Sequence, residues 1–91
     1  MQNELKITLR AARTNLGLTR KDAAKLLEIH HETLANYEHD STNIPRLVFM
    51  RVEKAFGIPV ENIFFGKENE FYRLRRKAIK DEVAAFREVM P

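Results

Sequence analysis

The sequence predicts an all-α protein, with five short helices packed over residues 1–66 and one longer amphipathic helix over 67–91. Three observations carry this reading. Apolar residues recur at three- and four-residue intervals in successive short segments. Each segment is bracketed by a hydroxyl, proline or glycine of the kind that starts or stops a helix. No run of alternating β-branched residues reads as a strand, and no segment repeats another.

Thr8 precedes the pattern Leu9, Ala12, Leu16, and Gly17 follows it, which delimits a first helix over Leu9–Leu16. Thr19 caps a second helix over Arg20–Leu27, with Asp22 as a weak capping box and Ala23, Ala24 and Leu27 facing inward. Glu28-Ile29-His30 forms a tight turn, and a third helix runs over His31–Glu38. The polar stretch from His39 to Asn43 reads as a loop. Pro45 suits the first turn of a fourth helix, where its missing N–H costs nothing. Val48, Phe49, Val52 and Phe56 form that helix's buried face, and Gly57 ends it. Ile58-Pro59 opens a short fifth helix carrying Val60, Ile63 and Phe64 inward, closed by Gly66. Glu68 to Val89 reads as one long helix. Its apolar set, Phe71, Leu74, Val83, Phe86 and Met90, is more than one helix can hide and is expected to take part in dimerisation.

A chain of 91 residues is one small domain, only modestly above the size at which a single core suffices, so oligomerisation is expected. At 44% hydrophobic and 32% charged residues it is globular and not a disordered tail. Cysteine is absent, which excludes disulfides and thiolate–zinc sites and fits a reducing compartment. The N-terminus lacks the apolar core of a signal peptide, and no apolar run approaches the roughly 20 residues that span a bilayer. A cytoplasmic protein without membrane contact is the expectation. The net charge of +3 is a mild bias toward an anionic partner. Residues 1–66 carry nine Lys/Arg against eight Asp/Glu, so placement of charge must decide, not its amount.

Placement is informative in Arg20–Tyr37. Ala24, Ile29, Leu34 and Tyr37 fall where two short helices joined by a three-residue turn would bury them. A small residue is needed at Ala24, because the third helix crosses the second closely there. Measured around the third helix from His31, Ala35 lies at about 40°, Glu32 at about 100° and Asn36 at about 140°. Leu34 and Tyr37 occupy the other side. The helix thus has a polar face with a small residue in its middle, the form needed for close approach to a surface.

Residues 7–66 resemble the Cro/lambda-repressor-like (XRE) helix-turn-helix domain. The resemblance is carried by "LRAAR" (9–13), "LGLTRKDAAKLL" (16–27), "ETLANYE" (32–38), Pro45 and "AFGIPVENIFFG" (55–66). It implies a five-helix, lambda-repressor-like bundle that places its third helix in the major groove of double-stranded DNA, usually as a dimer. His31, Glu32 and Asn36 are then the base readers. Asn36 suits an adenine edge, Glu32 cytosine N4, and His31 guanine N7 or a phosphate. Thr19, Arg20, Lys21, Asn43 and Arg46 are the expected contacts to the DNA backbone. Arg13 and Glu38 match positions that form a partly buried ion pair in relatives. The sequence departs from the family at the turn, where Glu28 replaces the usual glycine, and at the cap, where His30 replaces Ser or Thr.

The cluster "HHETLANYEH" (30–39) also begins like the zinc motif H-E-x-x-H, but the second histidine position is Ala35. No metal site, cofactor or enzymatic activity is expected. The implied function is a small bacterial or phage repressor acting as a homodimer on a near-palindromic operator. Two alternatives stay open: an antitoxin whose last helix binds a toxin, and a helix-turn-helix domain used only for protein–protein contact.

Overall fold

The computed structural model describes residues 6–89; Met90, one of the expected dimer residues, lies outside them. In chain order the elements are β1 (Ile7–Thr8), α1 (Leu9–Asn15), α2 (Arg20–Leu27), α3 (His31–His39) and α4 (Arg46–Phe56). A 3-10 turn (Val60–Asn62), β2 (Ile63–Phe64) and α5 (Glu68–Val89) follow. The architecture is an all-α bundle with a long C-terminal helix.

The caps explain the boundaries. Thr8 Oγ1 accepts from the Ala11 amide at 3.0 Å and Thr19 Oγ1 from the Asp22 amide at 3.1 Å, each satisfying a donor the helix leaves orphaned. At the far end of α1, Gly17 adopts φ +72 while the Leu18 amide reaches the Arg13 carbonyl at 3.4 Å. Helix α2 ends the same way, but the left-handed residue is Glu28, with φ 58 and ψ 43. The Glu28 amide bonds the Lys25 carbonyl at 3.1 Å and the Ile29 amide bonds the Ala24 carbonyl at 3.0 Å. That pair of bonds is a Schellman closure built without glycine. Arg51 supports it from α4, donating to the Leu27 carbonyl at 3.1 Å and lying 3.5 Å from the Glu28 carboxylate.

Two local expectations need correction. The segment after Pro59 is not an α-helix: it makes a single 3-10 turn and then extends, with Ile63 pairing in parallel with Ile7 and Phe64 with Thr8. Three helical residues cannot recover the cost of helix nucleation, whereas a short ladder to the chain's beginning satisfies the extended backbone directly. For the same reason the expectation of no strands fails. Ile63 is buried as expected, but Val60 and Phe64 are only partly so.

The core lies among α1, α2, α3 and α4. Ala12, Ala23, Leu27, Leu34 and Val52 are sealed from solvent, and Ile63 closes it from β2. Full burial of a leucine such as Leu27 or Leu34 contributes roughly 1.5–3 kcal/mol. Ala24 is buried in the core from α2, while Ile29 and Tyr37 pack against the core edge. Phe49, expected on the buried face of α4, is half-buried and packs on Phe65 in a tilted arrangement with ring centroids 4.9 Å apart.

Helix α5 leaves this body. The molecule measures 54 × 24 × 22 Å, with a radius of gyration of 15.5 Å, where a compact chain of this length has about 12 Å. Its root is tied to the end of α3. Asp40 bridges to Lys67, and the Ser41 amide donates to the Gly66 carbonyl at 2.9 Å. The Gly66 amide returns a bond to Ser41 Oγ at 2.9 Å.

Candidate nucleic-acid interface

Helix α3 is held from behind by a buried carboxylate. Glu38, on its inner side, has a side chain with no solvent exposure. Arg13 Nε donates to its Oε2 at 2.5 Å, and Arg13 also donates to the Leu18 carbonyl at 2.9 Å. Arg20 Nε donates to Glu38 Oε1 at 3.2 Å, and Arg10 Nη1 stands 4.0 Å from the same oxygen. One carboxylate therefore joins α1, α2 and α3. The Arg13–Glu38 pair was expected; the participation of Arg10 and Arg20 was not. Arg10 sits three residues before Arg13, on the same helical face, which is the only local sign of its role.

Arg10 extends the network to α5. Its Nε donates to Glu68 Oε2 at 2.8 Å. That hydrogen bond, with the attraction of Glu68 and Glu38, raises the Arg10 pKa above its ordinary value despite partial burial. Neither Ser41 nor Glu68 carries a periodicity or motif that marks it in the sequence; their partners are 25 and 58 residues away.

The start of α3 is capped unusually. His30 Nδ1 accepts from the Glu32 amide at 3.2 Å, the part usually taken by a hydroxyl or carboxylate oxygen. The ring stacks on His31, with centroids 4.3 Å apart. Both imidazoles thus have packing or hydrogen-bonding tasks, and among the described residues no three His, Asp or Glu side chains converge to hold a metal.

The outward face of α3 presents Glu32, Asn36 and His39 to solvent, with His31 and Ala35 partly covered beside them. Leu34 is sealed beneath. Lys21, Asn43 and Arg46 are exposed on α2, on the loop after α3 and at the start of α4. Arg20 is 36% exposed by its side chain while committed at Nε to Glu38. The Thr19 hydroxyl is exposed but serves as the α2 cap. Asp40 Oδ1 accepts from the Thr42 amide at 3.0 Å and from the Thr42 hydroxyl, which orders the loop leading to Asn43. These bonds, the hydroxyl first, hold the Asp40 carboxyl below its usual range.

A short second helix, a tight left-handed turn and a third helix with one polar exposed face form a helix-turn-helix. A helix-turn-helix family profile matches residues 9–63, more than half of the chain. The protein belongs to the XRE-type helix-turn-helix family, the Cro/lambda-repressor-like domains. No curated protein matches it. As a helix-turn-helix protein of this type it is a DNA-binding regulator. Among the described residues no helix is long and apolar enough to cross a membrane.

Proposed function

We propose that this helix-turn-helix protein is a sequence-specific transcriptional repressor of the small bacterial or phage type, binding a near-palindromic operator as a homodimer. The observation that supports it is the polar face of α3, where His31 lies on one side of the small Ala35 and Glu32 and Asn36 on the other, on a helix locked from behind by Glu38. A small central residue lets a helix lie close to the groove floor, within reach of base edges. Asn36 takes the adenine role and Glu32 the cytosine role, while His31, at the helix start, donates to guanine N7 or a phosphate. Lys21, Asn43 and Arg46 hold the backbone on either side, with Thr19 and the exposed part of Arg20 at the N-terminus of α2.

Footprinting across the DNA upstream of the gene, at two salt concentrations, tests this reading. The expected result is a short protected dyad with half-sites about 34–36 Å apart or a multiple of that, and binding that weakens steeply with salt. No protected site at low salt would overturn it. A second reading has one specific support. The exposed apolar residues of α5 suit an antitoxin that masks a toxin, and co-purification with a small basic protein encoded next to this gene would favour it.

A further inference from the structure

Helix α5 leaves its longest apolar row uncovered. Measured around the helix from Tyr72, Ile79 falls at about 340°, Val83 at about 20° and Phe86 at about 320°. These four share one narrow stripe and are exposed by 40%, 54%, 43% and 62%. Their spacing is that of a heptad seam: Tyr72, Ile79 and Phe86 take the d positions and Val83 an a position, with Arg76 at the preceding a. Phe71 and Leu74, expected on the dimer surface, lie off this stripe, at about 260° and about 200° by the same period. Phe71 instead packs on Phe64 of its own domain, with centroids 5.0 Å apart.

Two observations indicate what covers the seam. The first is charge at its edges. One edge, the e positions, is wholly basic: Arg73, Lys80 and Arg87. In the antiparallel register that buries Phe86, that edge meets itself and Glu82 meets Glu82, so the charged contacts repel. The next antiparallel register sets Phe86, the most exposed of the four, against the polar Asn69. In a parallel pair each Glu82 meets Arg87 of the second copy, while Arg75 opposite Lys80, and Arg76 opposite Arg76 across the seam, are unfavourable. The edge charges are exposed and screened by salt in either orientation, so their balance decides: the parallel pair gains attraction at Glu82–Arg87, and the antiparallel pair gains none. The second observation is size. Of the 54 Å length, α5 accounts for roughly 33 Å. Antiparallel overlap would separate the two domains by roughly 50 Å along the helix axis, unlike the roughly 34–36 Å between successive major grooves. Parallel pairing sets both domains at one end, side by side.

We propose that α5 pairs in parallel with α5 of a second copy along Tyr72, Ile79, Val83 and Phe86. This deepens and rests on the DNA-reading homodimer proposed above, since it names the surface that makes it. The seam is shorter than three heptads, so the pair is weak in isolation, and binding of both halves to one DNA site strengthens it through effective concentration.

The chain has no cysteine, so a single Tyr72→Cys substitution in the full chain reports geometry cleanly. Parallel pairing places the two introduced thiols opposite one another, within the ~4.4–6.8 Å Cα separation a disulfide needs. Antiparallel pairing through Phe86 holds them roughly 27 Å apart. The expected result is a covalent dimer on mild oxidation at micromolar protein, lost when Phe86→Glu is added and retained with Leu74→Glu. Circular dichroism of each variant checks that the domain stays folded. Glu82→Lys should weaken sedimentation dimers at least several-fold, and adding Arg87→Glu should restore them. A Tyr72→Cys chain that sediments as a dimer yet forms no crosslink, or one that stays monomeric at all concentrations both free and on DNA, overturns the seam. Protection of a DNA dyad by Tyr72→Cys chains that do not crosslink on that DNA overturns the seam alone. A crosslinked dimer that protects no site leaves the seam standing and removes the operator reading.

Discussion

Residues 7–66 and helix α5 both rest on amphipathic helices, yet they treat their apolar faces in opposite ways. In the domain, Leu34 and Glu38 of α3 are both sealed, one by apolar side chains and the other by three arginines. On α5 beyond its root, Tyr72, Leu74, Ile79, Val83 and Phe86 stay in solvent, and the charge pairs Arg73–Glu70 and Lys77–Asp81, the latter at 3.1 Å, are exposed on both sides. Periodicity thus identifies a helix but not what covers it. A buried carboxylate matters more than several exposed pairs because water no longer competes for it.

The largest effect that tests this contrast is Glu38→Ala. It strands Arg13 in the interior, and a loss of about 3–5 kcal/mol is expected in denaturant melts. Asp81→Ala, the matching change on α5, should move stability by less than about 0.5 kcal/mol. Equal losses would erase the distinction between the two regions.

Next in size is Asn36→Ala, on the exposed face of the locked helix. It should cost roughly 1–3 kcal/mol in operator binding and relax preference at one base pair, leaving folding untouched. Titrations against operators varied at single positions measure this. Uniform weakening on every sequence would remove Asn36 from base reading.

A smaller effect is expected at the turn between α2 and α3. Glu28 holds a left-handed conformation that costs an L-residue about 1–2 kcal/mol, part of which glycine's greater unfolded-state freedom offsets. Glu28→Gly should therefore raise stability by about 0.5–1 kcal/mol, seen as a higher Tm. A lower Tm would show that the Arg51 contact outweighs the strain.

The smallest effect concerns pH. The Asp40 carboxyl is depressed in the folded state by the Thr42 hydroxyl and amide. Its contribution is therefore present above the unfolded carboxyl's pKa and fades as pH falls through the lower, folded value. Thr42→Val should move the Asp40 titration, followed by NMR, back toward the ordinary range. An unchanged titration would show that the hydroxyl does not hold the loop.

Much of the domain was legible in the sequence because its signals are local. Thr8 and Thr19 cap the helices they precede, α2 has the predicted bounds, and Ala23, Ala24 and Leu27 are buried on it. Long-range terms were not legible. The Ile7–Ile63 and Thr8–Phe64 ladder leaves no pattern in a two-residue strand, so the segment after Pro59 reads as a helix from its apolar spacing. At the interface, the sequence marks the polar face of α3. It does not reveal that Arg20, an expected DNA contact, also donates to Glu38, because that choice depends on how α2 meets α3 in space.

The helices, their caps, the turn and the exposed face of α3 thus follow from the residue order alone, since each depends on residues within a few positions of one another. Which charges are buried together, and how α5 is fastened through Arg10, Ser41 and Asp40, were settled by the packed chain. So was the stripe of α5 that stays uncovered. Those outcomes rest on contacts between distant segments, whose free energies appear only when the chain has closed.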